Sequence, residues 1–239
     1  MIASAGQEGA ASAQAFRGSI LHFLDDPLHG EARSYRYFDD GVLLLRAGMV
    51  EAVGDATLLK TLAPDVELTD YRGRLIMPGF IDTHVHYPQT DMIAAYGEQL
   101  LQWLDRYAFP TESRFDDAVH ARAVADFFLD ELLHNGTTTA MVFATVHPAS
   151  VDAFFSAASA RNLRLIGGKV LMDRNCPEFL RDTAASGYED SKLLIGRWHG
   201  RFVHVPIPLT TRYRKLVDTS GDLWMSVVES TGQPRAWSE

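Results

Sequence analysis

The sequence predicts an α/β fold, a truncated TIM-like (β/α) barrel with a small N-terminal β-sandwich portion. Three observations lead there. Residues 16–75 hold short β-like runs separated by turn residues. From residue 76, apolar strand-like runs alternate with amphipathic helical stretches, the order that builds a parallel sheet. The stretch LIMPGFIDTHVHYPQ, residues 75–89, then gathers its polar residues at its C-terminal end, where α/β barrels carry their chemistry.

Residues 1–15 are small and polar and predict a disordered leader. GSILHFL, stopped by Asp25, Asp26 and Pro27, predicts the first strand of a β domain over residues 16–75. SYRYFDDGVLLLRAGMVEAVGD predicts two or three more, with turns at Asp40-Gly41 and Ala47-Gly48, and VELTDYRGRLI closes the unit. Residues 76–200 then predict three β/α units. Leu100, Leu101, Leu104 and Tyr107 fall at helical spacing within 94–107, an apolar face expected to pack on the barrel. Asp116 or Asp117 can cap a second helix whose stripe of Val119, Val124, Phe127, Phe128 and Leu132 runs to Asn135-Gly136. TTTAMVFATV predicts the second barrel strand, Val151, Phe154, Phe155 and Ala158 one face of a helix opened by Pro148 and Ser150, and LRLIGGKVLMD a third strand buried on both sides. Residues 177–198 read as mostly helical.

A chain of 239 residues can bury a sizeable core, and 46% hydrophobic with 22% charged residues is ordinary for a globular protein. The net charge of −9, with no cluster of lysine or arginine, argues against nucleic acid as a partner. Cys176 is the only cysteine, which excludes an internal disulfide framework and a cysteine-based metal site and suits a reducing cytoplasm. No run of eighteen apolar residues predicts a membrane span, and no signal peptide is visible.

The chemistry concentrates in DTHVH, residues 82–86. Side chains two apart on a strand share a face, so His84 and His86 point the same way and can converge on a divalent metal. An H-x-H pair among nine histidines also arises by chance, as a surface or structural pair. His134 and His147 have no partner motif and are read as structural, and Cys176, beside Pro177, as a packed loop side chain.

PGFIDTHVH resembles the first-strand metal motif of the amidohydrolase superfamily, and HYPQTDMIAAYGEQLLQWLDRYAFPTESRF, residues 86–115, resembles the guanine deaminases within it. The similarity runs from about Phe16 to Gly200, through NGTTTAMVFATVHPASVDAFF and KVLMDRNCPEFLRDTAASGYEDSK. The resemblance implies a metal-dependent barrel of the amidohydrolase type, a zinc ion, and hydrolytic deamination of guanine to xanthine and ammonia. It implies His84 and His86 as zinc ligands; Asp82, on the same face, is read as a structural acceptor or as a carboxylate that orients the ligating histidines. His86, Tyr87, Pro88 and Gln89 match its substrate-binding run, Gln89 supplying an amide that both donates and accepts to a base edge. Trp103 and Phe109 could wall a purine pocket or simply pack in the core. A homodimer is compatible with the resemblance.

Residues 201–239 do not continue the pattern. Alanine, frequent up to residue 200, occurs once after it, at Ala236. The resemblance implies a further histidine with a glutamate as H-x-x-E, a fourth histidine and a metal-binding aspartate, all in later strands. No H-x-x-E occurs in the chain and His204 is the only histidine past Gly200, so no catalytic acid or base is assigned. Arg212 and Tyr213 resemble an arginine-aromatic pair that contacts the base, but Pro206 and Pro208 interrupt the strand they need. The expectation is therefore a guanine deaminase-like chain, truncated or frame-shifted near Gly200 and impaired. An inactive fragment or pseudoenzyme, or an amidohydrolase acting on another amino-heterocycle, is the alternative.

Overall fold

The computed structural model describes residues 13–26, 28, 34–57, 61, 64–161, 163–199, 224–225 and 228–229. It divides into two units, residues 1–78 and 79–239.

The N-terminal unit is one four-stranded sheet in the order β3-β2-β1-β4, from β1 (Ala13–Phe23), β2 (Tyr35–Arg46), β3 (Met49–Asp55) and β4 (Leu68–Ile76). β1 runs antiparallel to β2 and parallel to β4. β1 begins inside the segment read as a leader, because Ala15 is buried between its two neighbours; residues 1–12 lie outside the described residues. Ala47 and Gly48, with φ of 53° and 76°, make the predicted hairpin turn between β2 and β3. Asp40-Gly41 does not turn. β2 runs straight through it, and the register passes from Gly18↔Gly41 to Ile20↔Phe38, which places one extra residue in β2 as a bulge. A Cβ on Gly41 would stand 2.8 Å from Phe38 Cβ and 3.0 Å from the Ile20 side chain, so the glycine serves close packing. Among the described residues this unit shows one sheet and no second sheet facing it.

In the second unit β5 (Phe80–His86), β6 (Thr137–Phe143) and β7 (Arg164–Gly168) pair in parallel, and a short β10 (Val228–Glu229) pairs antiparallel with β7. β8 (Val170–Leu171) pairs with β9 (Trp224–Met225). The expected third strand is thus broken at Lys169, whose side chain turns inward to Asp182.

After β5 a 3-10 turn, Tyr87–Met92, leads to α1 (Leu100–Trp103), a π-helical turn Leu104–Ala108, and α2 (Phe109–Glu112). The expected helix over 94–107 begins only at Leu100, and Leu100 and Leu101 are 68% and 74% exposed rather than packed. α3 (Ala118–His134) is capped by Asp117, which accepts from the Val119 N–H. It ends at Asn135-Gly136, where Gly136 adopts φ 79°. Val124 and Phe128 of its stripe are buried, whereas Val119 and Phe127 are exposed. α4 (Pro148–Ser159) starts on its proline, and α5 (Ala184–Trp198) on a capping box of Thr183 and Ser186. The helical pattern over 177–198 therefore resolves into a 3-10 turn, Glu178–Leu180, followed by α5.

One apolar core joins α3, α4 and β6 through Phe115, Ala125, Leu129, Ala140, Phe154 and Phe155. Packing on this core fixes the helices behind the sheet and leaves the C-terminal end of β5 beside the cavity described next.

Candidate active site

β5 carries Asp82, His84 and His86 on one strand, and its alternation brings the two imidazoles together. Their Nε2 atoms lie 3.3 Å apart, with ring centroids at 5.3 Å. Phe143, the last residue of β6, lies against both rings, stacking on His86 at 4.4 Å with 6° between planes and approaching His84 at 4.7 Å. Asp82 Oδ1 accepts from the His84 backbone N–H at 3.0 Å, a bond that braces the strand.

Burial, with the neighbouring His84 adding to it, pushes the His86 imidazole down to about 4. His86 is then neutral near pH 7 and keeps a ring lone pair, the form in which histidine binds metals. Its Nδ1 is buried and has no hydrogen-bond partner. Two nitrogens held about 2.05 Å from one tetrahedral ion are separated by about 3.3 Å, so the observed pair fits two of the roughly four ligands that zinc requires. Among the described residues no group of three or more His, Cys, Asp or Glu side chains gathers at one point, so the remaining ligands are not in this set.

A cavity of about 690 Å³ opens beside the pair. His84, His86, Gln89, Trp103, Phe127 and Phe128 contribute to its wall. Gln89 donates its Nε2–H to Glu112 Oε1 at 3.4 Å. Glu112 is 5% exposed, and burial pushes its carboxyl up to about 7.

The predicted residues are thus divided. His84, His86, Gln89 and Trp103 meet at the cavity. Tyr87 does not: it is fully buried, its ring packs on Phe115, Phe128 and Phe154, and its hydroxyl donates to Ser150 O at 2.7 Å. Pro88 is buried at the start of the 3-10 turn. Phe109 packs in a second apolar cluster with Phe143 and Val146. His134 ends α3 within 3.5 Å of Glu131, and His147 is the N-cap residue of α4. His204, Arg212 and Tyr213 lie outside the described residues. Glu112 and Phe143 escaped the sequence reading. A carboxylate close behind Phe109 and Pro110 was a faint signal for the first, and nothing local marked the second.

Residues 75–205 match the amidohydrolase family. The chain belongs to that family. As an amidohydrolase it is 51% identical over 206 residues to the guanine deaminase of Escherichia coli (strain K12), covering 84% of this chain and 47% of that relative. It is 40% identical over 191 residues to the probable guanine deaminase of Deinococcus radiodurans, covering 78% and 43%. Among solved structures, E. coli guanine deaminase aligns with a TM-score of 0.74 at 53% identity, over 79% of this chain and 44% of that one. The guanine deaminase of Bradyrhizobium japonicum aligns with a TM-score of 0.75 at 38% identity, over 80% and 42%. Homology to guanine deaminases therefore covers most of this amidohydrolase chain, which spans less than half the length of these relatives. Family membership supports metal-dependent chemistry in general. No helix among the described residues is long and apolar enough to cross a membrane.

Proposed function

We propose that this chain carries the first metal-ligand pair and part of the purine pocket of a zinc-dependent guanine deaminase, which hydrolyses guanine to xanthine and ammonia. The observation that supports it most is the 3.3 Å convergence of His84 and His86 Nε2 beside a cavity lined by Gln89 and Trp103. A related structure, guanine deaminase from C. acetobutylicum, has guanine bound in its active site.

In this reading His84 and His86 hold zinc through neutral ring nitrogens. When bound, the metal supplies a hydroxide at neutral pH, because coordination lowers the pKa of water to about 7. Gln89 binds the purine edge by its amide, Trp103 offers a flat face to the ring, and Phe143 keeps water from the buried side of His86. His86 through Gln89 are the substrate-binding run, with Tyr87 and Pro88 acting through the backbone they stiffen. The complete architecture is an eight-stranded barrel with a β-sandwich portion, of which residues 16–75 are the β domain and 76–200 the first three β/α units. A cytoplasmic protein, a homodimer and no nucleic-acid partner complete the reading; the acidic balance of the chain favours the last of these.

Among the described residues two of about four ligands are present, and two do not hold zinc tightly, so the chain alone is expected to be inactive. A chimera supplies the decisive test: residues 16–199 replace the matching segment of E. coli guanine deaminase. It should release xanthine from guanine, and His84→Ala should abolish this. A folded, zinc-loaded chimera that spares guanine and deaminates another amino-heterocycle would refute the assignment.

A further inference from the structure

Glu112 is buried in α2, which packs on the 3-10 turn that carries Gln89. A carboxyl group withdrawn from water is costly unless something uses it, and an apolar side chain of similar size would fill the site more cheaply. Its carboxyl responds first to burial and then to the Gln89 amide, with no cation contributing. A glutamine left to itself is ambivalent, since its oxygen accepts and its nitrogen donates. In its ionised form, which prevails above about pH 7, the carboxyl can only accept and so removes the ambiguity. The amide must turn Nε2 toward Glu112, and Oε1 is the end left for the cavity that Gln89 lines.

We propose that Glu112 is a positioning residue: it fixes the Gln89 amide with Nε2 inward and Oε1 toward the cavity, so that this wall accepts hydrogen bonds from a ligand's ring N–H or amino group. This rests on the reading of Gln89 as a purine contact. A ligand offering only acceptors at that edge meets another acceptor, and the mismatch costs about tenfold or more in affinity. The wall therefore selects heterocycles that carry an N–H donor there.

The test uses the unmodified 239-residue chain, isotopically labelled, with the Gln89 side-chain resonances assigned by their loss in Gln89→Met. An NOE is expected between the Gln89 Nε2 protons and the Glu112 γ-protons, together with amide exchange about tenfold slower than that of an exposed glutamine. Glu112→Leu should return that exchange to the exposed rate, and Glu112→Gln, whose amide can accept or donate, should leave it between the two. Absence of the NOE in the unmodified chain overturns the proposal without any variant, as does equal exchange in the chain and a folded Glu112→Leu. Guanine added to the chain should shift the Gln89 Cδ resonance and leave the NOE in place; loss of the NOE on binding also overturns the proposal. An unmoved Cδ with the NOE intact upholds the Glu112–Gln89 pairing and removes Gln89 from the purine site.

Discussion

Replacing Glu112 with glutamine should stabilise the fold above neutrality and have no effect in acid. The carboxyl is 5% exposed and titrates at about 7, against an ordinary value of 4.5. A raised pKa for an acid means that the folded state keeps a proton that the unfolded state has released. The folded form is therefore penalised progressively as pH rises from 4.5 to about 7, and fully above that. A shift of that size corresponds to about 3 kcal/mol. Glutamine has nearly the same shape, carries no charge, and can still accept from Gln89 through its Oε1. The difference between Glu112→Gln and the parent chain should be near zero at about pH 4 and approach 3 kcal/mol in favour of the variant at about pH 8. Urea titrations followed by tryptophan fluorescence across this range measure it. His86 titrates in the same window with the opposite slope, but it is present in both proteins and cancels in the difference. A difference that stays flat between pH 4 and 8, or a variant less stable at pH 8, would refute the assignment of a buried, burial-shifted carboxyl.

Four further outcomes follow from the geometry. The dialysed chain should retain well under one equivalent of zinc and make no xanthine, with His84→Ala removing what zinc is held; near-stoichiometric metal by elemental analysis together with turnover would contradict the two-ligand site. Tyr87→Phe should cost about 1–2 kcal/mol through the lost bond to Ser150 O, and in an active chimera it should lower the melting temperature while leaving KM unchanged. Lys169 is fully buried, with Asp182 Oδ2 2.7 Å from its Nζ, so Asp182→Ala should destabilise by about 3–5 kcal/mol and Lys169→Met with Asp182→Leu together by much less, as chemical denaturation can establish. A Cβ on Gly79 would come within 2.8 Å of Thr138 Cβ, so Gly79→Ala should lower stability by about 1–3 kcal/mol, and Thr138→Ala in the same chain should recover part of that loss.

Much of the local structure was written in short-range signals. Ala47-Gly48 turned as predicted, both at positive φ, which Gly48 adopts freely and Ala47 only at a steric cost. Asp117 capped α3, and Pro148 opened α4, because those residues satisfy or relieve the unpaired N–H groups of a first helical turn. Asp40-Gly41 carried the same turn signature and failed, since a bulge against Gly18 and Ile20 uses the glycine for contact across the strands. Leu100 and Leu101 had the spacing of a packed face and are exposed, because periodicity says which side of a helix is apolar and not whether anything covers it.

The same division runs through the site. His84 and His86 were legible because a strand repeats every two residues, a property of the backbone that needs no knowledge of the fold. The sequence by itself also determined the family, through a motif specific enough to name its chemistry, and the lack of an H-x-x-E partner. Only the tertiary structure decided that Tyr87 belongs to the core, that Phe143 backs the two imidazoles from a neighbouring strand, and that Glu112 meets Gln89 across twenty-three residues of chain. Those relations depend on how β5, β6 and the turns after them pack. Desolvation, which sets the titration of His86 and Glu112, comes into being only when that packing excludes water.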